Sequence, residues 1–93
     1  MRTIKETGSF RRDRKRERSG QHGPKLKGLL VVVVGLLATD SLLPMRYRDH
    51  ALSGDWKGYR ECHIRPDLIL IYRKPDADTL ELVRLGSHSE LFG

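Results

Sequence analysis

The sequence predicts an α+β sandwich with the element order β-α-α-β-β-β, a mostly antiparallel sheet carrying two helices on one face. Three observations predict it. A segment of helix-forming residues, SFRRDRKRER from Ser9 to Arg18, precedes an apolar segment with helical periodicity. Three strand-like runs follow, divided only by the turn sequences Arg65-Pro66-Asp67 and Lys74-Pro75-Asp76-Ala77-Asp78. Connections that short join antiparallel neighbours. With both helices on one face, the opposite face stays open to a ligand.

The elements follow in order. Arg2–Glu6 reads as a short edge strand. The first helix runs over about 9–19, with Ser9 as the expected N-cap. After Phe10 it has almost no apolar residues, so it has to pack through Phe10 and the stems of its arginines. Ser19 to Pro24 is a loop, and Pro24 suits a helix start. The four valines Val31–Val34 favour a strand by propensity. Leu26, Leu29, Leu30, Val33, Leu36 and Leu37 nevertheless recur at helical spacing, and the run exceeds strand length, so a second helix is expected over about 25–38. Val31, Val32 and Val34 widen its apolar surface beyond one stripe, enough to meet a partner as well as the sheet. Asp40–Asp49 connects to the sheet region, about 47–93, whose strands are expected at Tyr59–Ile64, Leu68–Arg73 and Thr79–Leu85. Gly86 breaks the last strand, and Ser87-His88-Ser89-Glu90 has the spacing of a capping box for one closing helical turn.

Ninety-three residues fit a single domain, 1–93, with a core in which each large apolar side chain matters. The formal charge is +6, but residues 1–28 alone carry +7 and residues 29–93 carry −1. The positive excess is an electrostatic footprint for a polyanion, either RNA or an acidic protein segment. A basic helix face that is simply solvated is the plain alternative. The single cysteine, Cys62, excludes an intramolecular disulfide and reads as a small buried hydrophobe, with the cytoplasm as the natural compartment. Leu29–Ala38 is about half the length needed to span a bilayer, so no membrane association is expected.

The chemistry lies between Tyr47 and the last residues. Period-two alternation places Tyr59, Glu61 and His63 on one strand face and Arg60, Cys62 and Ile64 on the other. Asp67, after the turn, is expected back beside His63. Arg84 precedes the Gly86 break, and His88 follows it. With His50, these residues supply imidazoles, carboxylates and a guanidinium for cleavage of RNA through its own 2′-hydroxyl. That reaction needs a base for the hydroxyl, an acid for the departing 5′-oxygen and a cation for the phosphate. Imidazole serves as either acid or base near neutrality. Glu61 and Asp67 are available to orient a histidine or to take the proton. The histidines show neither i,i+4 spacing nor a cysteine cluster, so no metal and no cofactor is expected. His22 is assigned no role, Trp56 is read as a core anchor, and Phe92 as a platform for a nucleobase.

The stretch DHALSGDWKGYRECHIRPDLILIY, followed by RLGSHSELFG, resembles the YafQ branch of the RelE/ParE toxin superfamily. The joint occurrence of D-H-x-L-x-G-x-W-K-G-Y-R, H-x-x-P-D and G-x-H-x-x-L-F-G carries the resemblance. It is strong over about 45–93 and weak over the first 24 residues. It implies a RelE-like sandwich and the toxin half of a type II toxin–antitoxin pair. It further implies a metal-independent endoribonuclease that cuts mRNA in the ribosomal decoding site and leaves a 2′,3′-cyclic phosphate. By position it assigns catalytic roles to His50, His63, Asp67 and His88, with Glu61 standing where an aspartate is frequent. His88 is favoured as the main proton-transfer residue, with Arg84, Phe92 and Arg60 binding substrate. The implied partners are ribosomal RNA, through basic residues 11–18, and a cognate antitoxin, through which alone operator DNA would be bound. The same fold also serves ParE-like relatives that poison gyrase without cutting RNA, and a plain ribosome-binding module would need only the basic arm. The histidine set favours the nuclease, because binding alone does not require titrating groups.

Overall fold

The computed structural model describes residues 1–93. Its elements are β1 (Thr3–Glu6), α1 (Gly8–Arg18), α2 (Gly23–Ala38), β2 (His50–Ala51), β3 (Arg60–Arg65), β4 (Leu68–Arg73), β5 (Thr79–Gly86) and α3 (His88–Phe92), with single 3-10 turns at Met45–Tyr47 and Gly54–Trp56. The five strands form one sheet in the order β1-β5-β4-β3-β2. β1 runs parallel to β5, and all other pairs are antiparallel. The predicted α+β order holds, with one addition. β2 is two residues long, too short to leave a period in the sequence, and it lies along β3 by pairing His50 with Glu61 and Ala51 with Arg60.

Strand alternation divides the sheet into two faces. Cys62, Ile64, Leu68, Leu70, Tyr72, Leu80, Leu82 and Leu85 face the helices, where Phe10, Leu26, Leu30, Val33 and Leu37 complete the main core. Ile69 and Ile71 point the other way and join Leu91 in a smaller cluster that Leu52, Trp56, Tyr59, Val83 and Phe92 border. β4 is therefore apolar on both sides, as its sequence LILIY requires.

The first helix is held mainly by polar contacts. Phe10 is its only buried apolar residue, worth roughly 1.5–3 kcal/mol. That is small against about 1 kcal/mol of backbone entropy for each residue ordered. β1 ends at Glu6, opposite Leu82, so the outer edge of β5 beyond that point lacks a strand partner. α1 covers this edge. Thr7 donates through N–H to the Leu82 carbonyl (3.0 Å) and through Oγ1 to that of Val83 (2.8 Å). The Leu85 N–H donates to Asp13 Oδ2 at 3.0 Å, and Arg16 Nη2 donates to the Leu85 carbonyl at 2.8 Å. Polar side chains thus finish the ladder, and hydrogen bonds to charged groups contribute about 1.5–3 kcal/mol each. The N-cap is Thr7, whose Oγ1 accepts from Phe10 N–H, and Ser9 lies inside the helix instead. The turn into α2 is equally close. A Cβ on Gly23 would sit 2.0 Å from the Arg18 carbonyl oxygen, so no larger residue fits.

Asp13 is 4% exposed. Burial pushes its carboxyl up, but hydrogen bonds from Arg84 and Leu85 and the charges of Arg84 and Arg16 outweigh this and hold it below its ordinary 3.8. A lowered folded value stabilises the fold at pH above the unfolded value, and that contribution is lost as pH falls through the folded one. The denaturant midpoint is therefore expected to decline below about pH 4. Asp13→Asn should remove part of that slope, which urea titrations at stepped pH would measure.

Candidate active site

The face away from the helices carries the candidate site. Register sets one row across it, in which His50 pairs with Glu61, Glu61 with Ile71, and Ile71 with Arg84. The adjacent row runs from His63 through Ile69 to Gly86, and α3 starts two residues after Gly86. Residues distant in sequence therefore stand on one surface.

Glu61 is the centre of this arrangement and is 6% exposed. His50 Nε2 lies 3.2 Å from Oε1, and His63 Nε2 lies 3.3 Å from Oε2. The two imidazole centroids are 6.5 Å apart. Although His63 is within ion-pair distance, Oε2 receives no aligned hydrogen bond and is fully buried. Buried carboxylate oxygens are normally satisfied, so this one is costly and stands ready to accept a hydrogen. His50 is oriented from behind. Its Nδ1 lies 2.7 Å from the Arg48 carbonyl, which can only accept, so Nδ1 carries the hydrogen and Nε2 faces the carboxylate. Arg48 presents that carbonyl from a left-handed backbone at φ 48°, a conformation costly for a residue with a Cβ.

Beside Glu61 is an open recess of about 340 Å³ lined by Leu52, Ser53, Trp56, Glu61, His88 and Phe92. α3 supplies the last two. Ser87 caps it by accepting from Glu90 N–H, while the Glu90 carboxylate accepts from Ser87 N–H, so the predicted capping box is formed. This sets His88 at the first turn, exposed, with its ring centroid 4.9 Å from that of Phe92. Phe92 packs edge-on against Trp56 at 6.1 Å, and Trp56 against Tyr59 at 5.3 Å. Trp56 thus packs on the smaller apolar cluster and also forms part of the recess wall. Its partial exposure comes from the 3-10 turn at Gly54–Trp56, and no local sequence signal marks that placement.

Other expected residues stand elsewhere. Arg60 lies on the opposite sheet face from Glu61, as strand alternation requires. There it bonds Asp49 and the Tyr72 hydroxyl, which itself donates to Asp49 at 2.5 Å. Asp67 does not return to His63. At the β3–β4 turn its carboxylate accepts from His22 Nε2 at 2.8 Å and from the Gln21 amide. The hydrogen bond from His22 leads in holding it below the usual carboxylate range. His22 therefore has a contact that its loop position did not announce. Arg84 lies on the Glu61 face by register but reaches round the sheet edge. Its Nε and Nη2 donate to Asp13 at 2.6 and 3.3 Å, leaving Nη1 uncommitted. The 11–18 segment is less free than its composition suggests. Arg14 pairs with Glu6, and Arg16 with Asp13, Glu17 and Glu90. Lys15 and Arg18 form no ion pair. Burial pushes the Cys62 thiol well above its ordinary value, consistent with its reading as a hydrophobe.

The family model for the bacterial toxin of the type II toxin–antitoxin system, YafQ, matches residues 2–93. The chain belongs to the YafQ toxin family. It is 42% identical over 95 residues to the mRNA interferase toxin YafQ of Escherichia coli strain K12, covering 100% of this chain and 98% of that one. The fold agrees with the crystal structure of YafQ from E. coli strain BL21(DE3), at a TM-score of 0.85, 38% identity and full coverage of both chains. It also agrees with the YafQ chain of the E. coli DinJ–YafQ toxin–antitoxin complex, at a TM-score of 0.82 and 40% identity, covering 99% of this chain and 98% of that one. No helix is long and apolar enough to cross a membrane.

Proposed function

We propose that this YafQ-family chain is a cytoplasmic endoribonuclease that cuts mRNA in the ribosomal decoding site and is neutralised by a cognate antitoxin. One observation carries the reading: a buried carboxylate with a bare oxygen stands between two imidazoles, at the wall of a recess that also holds His88 and Phe92. A module built only to bind gains nothing from an unsatisfied buried acid.

The reaction is transesterification. The 2′-oxygen attacks phosphorus, the bond from phosphorus to the 5′-oxygen breaks, and a 2′,3′-cyclic phosphate and a 5′-hydroxyl result. His88, exposed beside the recess, is the principal proton-transfer group. Glu61, which lines the recess, exchanges the second proton, with His50 and His63 each holding an Nε2 against one of its two oxygens. The free Nη1 of Arg84 meets charge building on phosphate, and Phe92 stacks on a base. No step as written requires a metal. Ribosomal RNA phosphates fall to Arg12, Lys15 and Arg18, because Arg14 and Arg16 are committed to internal pairs.

The antitoxin is assigned to the α1–α2 groove, about 390 Å³, with Arg18 and Lys27 as its free basic groups and Leu26, Leu30 and the exposed Val31 as its apolar lining. Apolar lining and basic groups fit an acidic amphipathic segment. Val31 and Val32 are 65% and 53% exposed on the same helix. Val31→Glu is expected to weaken antitoxin binding at least about tenfold by titration calorimetry, leaving cleavage intact. Mapping cut sites by primer extension on a translated and an untranslated copy of one mRNA tests the main reading. Cuts confined to the translated copy support it. A toxin that arrests growth with all mRNA intact would instead be a binding poison.

A further inference from the structure

Helix α1 reaches the candidate site twice, and neither contact belongs to the reaction as described. Asp13, buried under the sheet edge, accepts from Arg84 Nε (2.6 Å), Arg84 Nη2 (3.3 Å), Arg16 Nη1 (3.0 Å) and Leu85 N–H (3.0 Å). Arg16 in turn donates to the Leu85 carbonyl and pairs with Glu90 at 3.0 Å. Glu90 is the third residue of α3, and its carboxylate closes the capping box that starts the helix at His88. One buried acid and one arginine thus connect the Arg84 guanidinium to the element carrying the recess imidazole. The contact is tight at Gly86, where an added Cβ would lie 2.7 Å from Arg16 Nη2 and 3.1 Å from Glu90 Oε1.

We propose that Asp13 and Arg16 are positioning residues for RNA cleavage, fixing the spacing between the Arg84 guanidinium and the His88 imidazole; this rests on the nuclease reading above. Arg84 is a long side chain on a partnerless strand edge, and without Asp13 its head samples many rotamers. Asp13 takes Nε and one Nη2 hydrogen and leaves Nη1 aimed for a phosphate oxygen. Its charge is already shared with Arg16 and the Leu85 amide, so Arg84 is not fully neutralised. α3 is only five residues long, too short to be stable alone, and depends on anchors such as Glu90 to Arg16. Misplacing reacting groups by about 1 Å costs on the order of 100-fold in rate.

The test uses the full chain and a translated reporter mRNA, read as single-turnover cleavage at saturating toxin together with the toxin concentration for half-saturation. Arg16→Met, Asp13→Asn and Gly86→Ala are each expected to slow the cleavage step by about 10- to 100-fold, with half-saturation changed less than about threefold. Val33→Ala trims the core far from the site and serves as the control for lost stability. It should lower the melting temperature at least as much as Arg16→Met yet cleave at the wild-type rate while folded. If Asp13→Asn does not fold, the other two variants still decide. Folded Arg16→Met and Gly86→Ala proteins that cleave like wild type would overturn the proposal, as would equal losses in Val33→Ala. A wild-type protein that cuts no mRNA would instead remove the nuclease reading on which the proposal stands.

Discussion

His88→Ala is expected to slow mRNA cleavage by about 10²–10⁴-fold, the usual contribution of one well-placed proton-transfer group. Stability should change little. The imidazole is exposed and makes no hydrogen bond, alanine is a good helix former, and the Ser87–Glu90 capping box does not involve the side chain at 88. The main structural loss is the ring contact with Phe92 at 4.9 Å. Ribosome co-sedimentation should therefore persist while cleavage, followed as decay of full-length message, collapses. Growth arrest that survives both His88→Ala and His63→Ala would remove the enzyme from the account and leave a binding poison.

Glu61→Gln is expected to move activity and stability in opposite directions. The carboxylate lies 6% exposed with Oε2 unsatisfied, and leaving a buried polar group unpaired costs about 1–3 kcal/mol, more when it is charged. A neutral amide of the same shape relieves part of that cost and donates an N–H to a neighbouring imidazole nitrogen. The variant should gain about 1 kcal/mol in urea unfolding. It should lose cleavage by roughly 100-fold or more, since an amide exchanges no proton near neutrality. A destabilised Glu61→Gln protein with normal cleavage would show that the acid is a structural ion-pair partner and nothing more.

What local sequence could express, it did express. The Glu61 and His63 pairing needed only strand alternation, and the capping box that sets His88 needed only S-x-x-E. The widened apolar face of α2 was visible in its valines, two of which stay exposed. Most of the differences come from dependence on partners far along the chain. FRRDRKRERS reads as a basic arm, but Asp13 and Arg16 within it are claimed by Leu85, Arg84 and Glu90. No period or propensity announces that α1 will complete the edge of β5. Asp67 was expected near His63 by chain proximity, whereas His22, some forty-five residues earlier, holds it. Trp56 keeps its structural place on the smaller apolar cluster, and the 3-10 turn at Gly54–Trp56 brings it to the recess beside Phe92 as well. Arg60 differs for a local reason, since strand alternation puts it on the sheet face opposite Glu61, beside Tyr72.

The proposed reaction requires His50, Glu61, His63 and His88 to act on one phosphodiester whose own 2′-oxygen is the nucleophile. The most direct measurement is the chemical identity of the new ends on mRNA cut by the purified chain during translation. Attack by the 2′-oxygen leaves an upstream fragment closed by a 2′,3′-cyclic phosphate and a downstream fragment with a free 5′-hydroxyl. A 5′-phosphate paired with a 3′-hydroxyl would mean that water or an activated hydroxide attacked instead, and would contradict the proposed reaction.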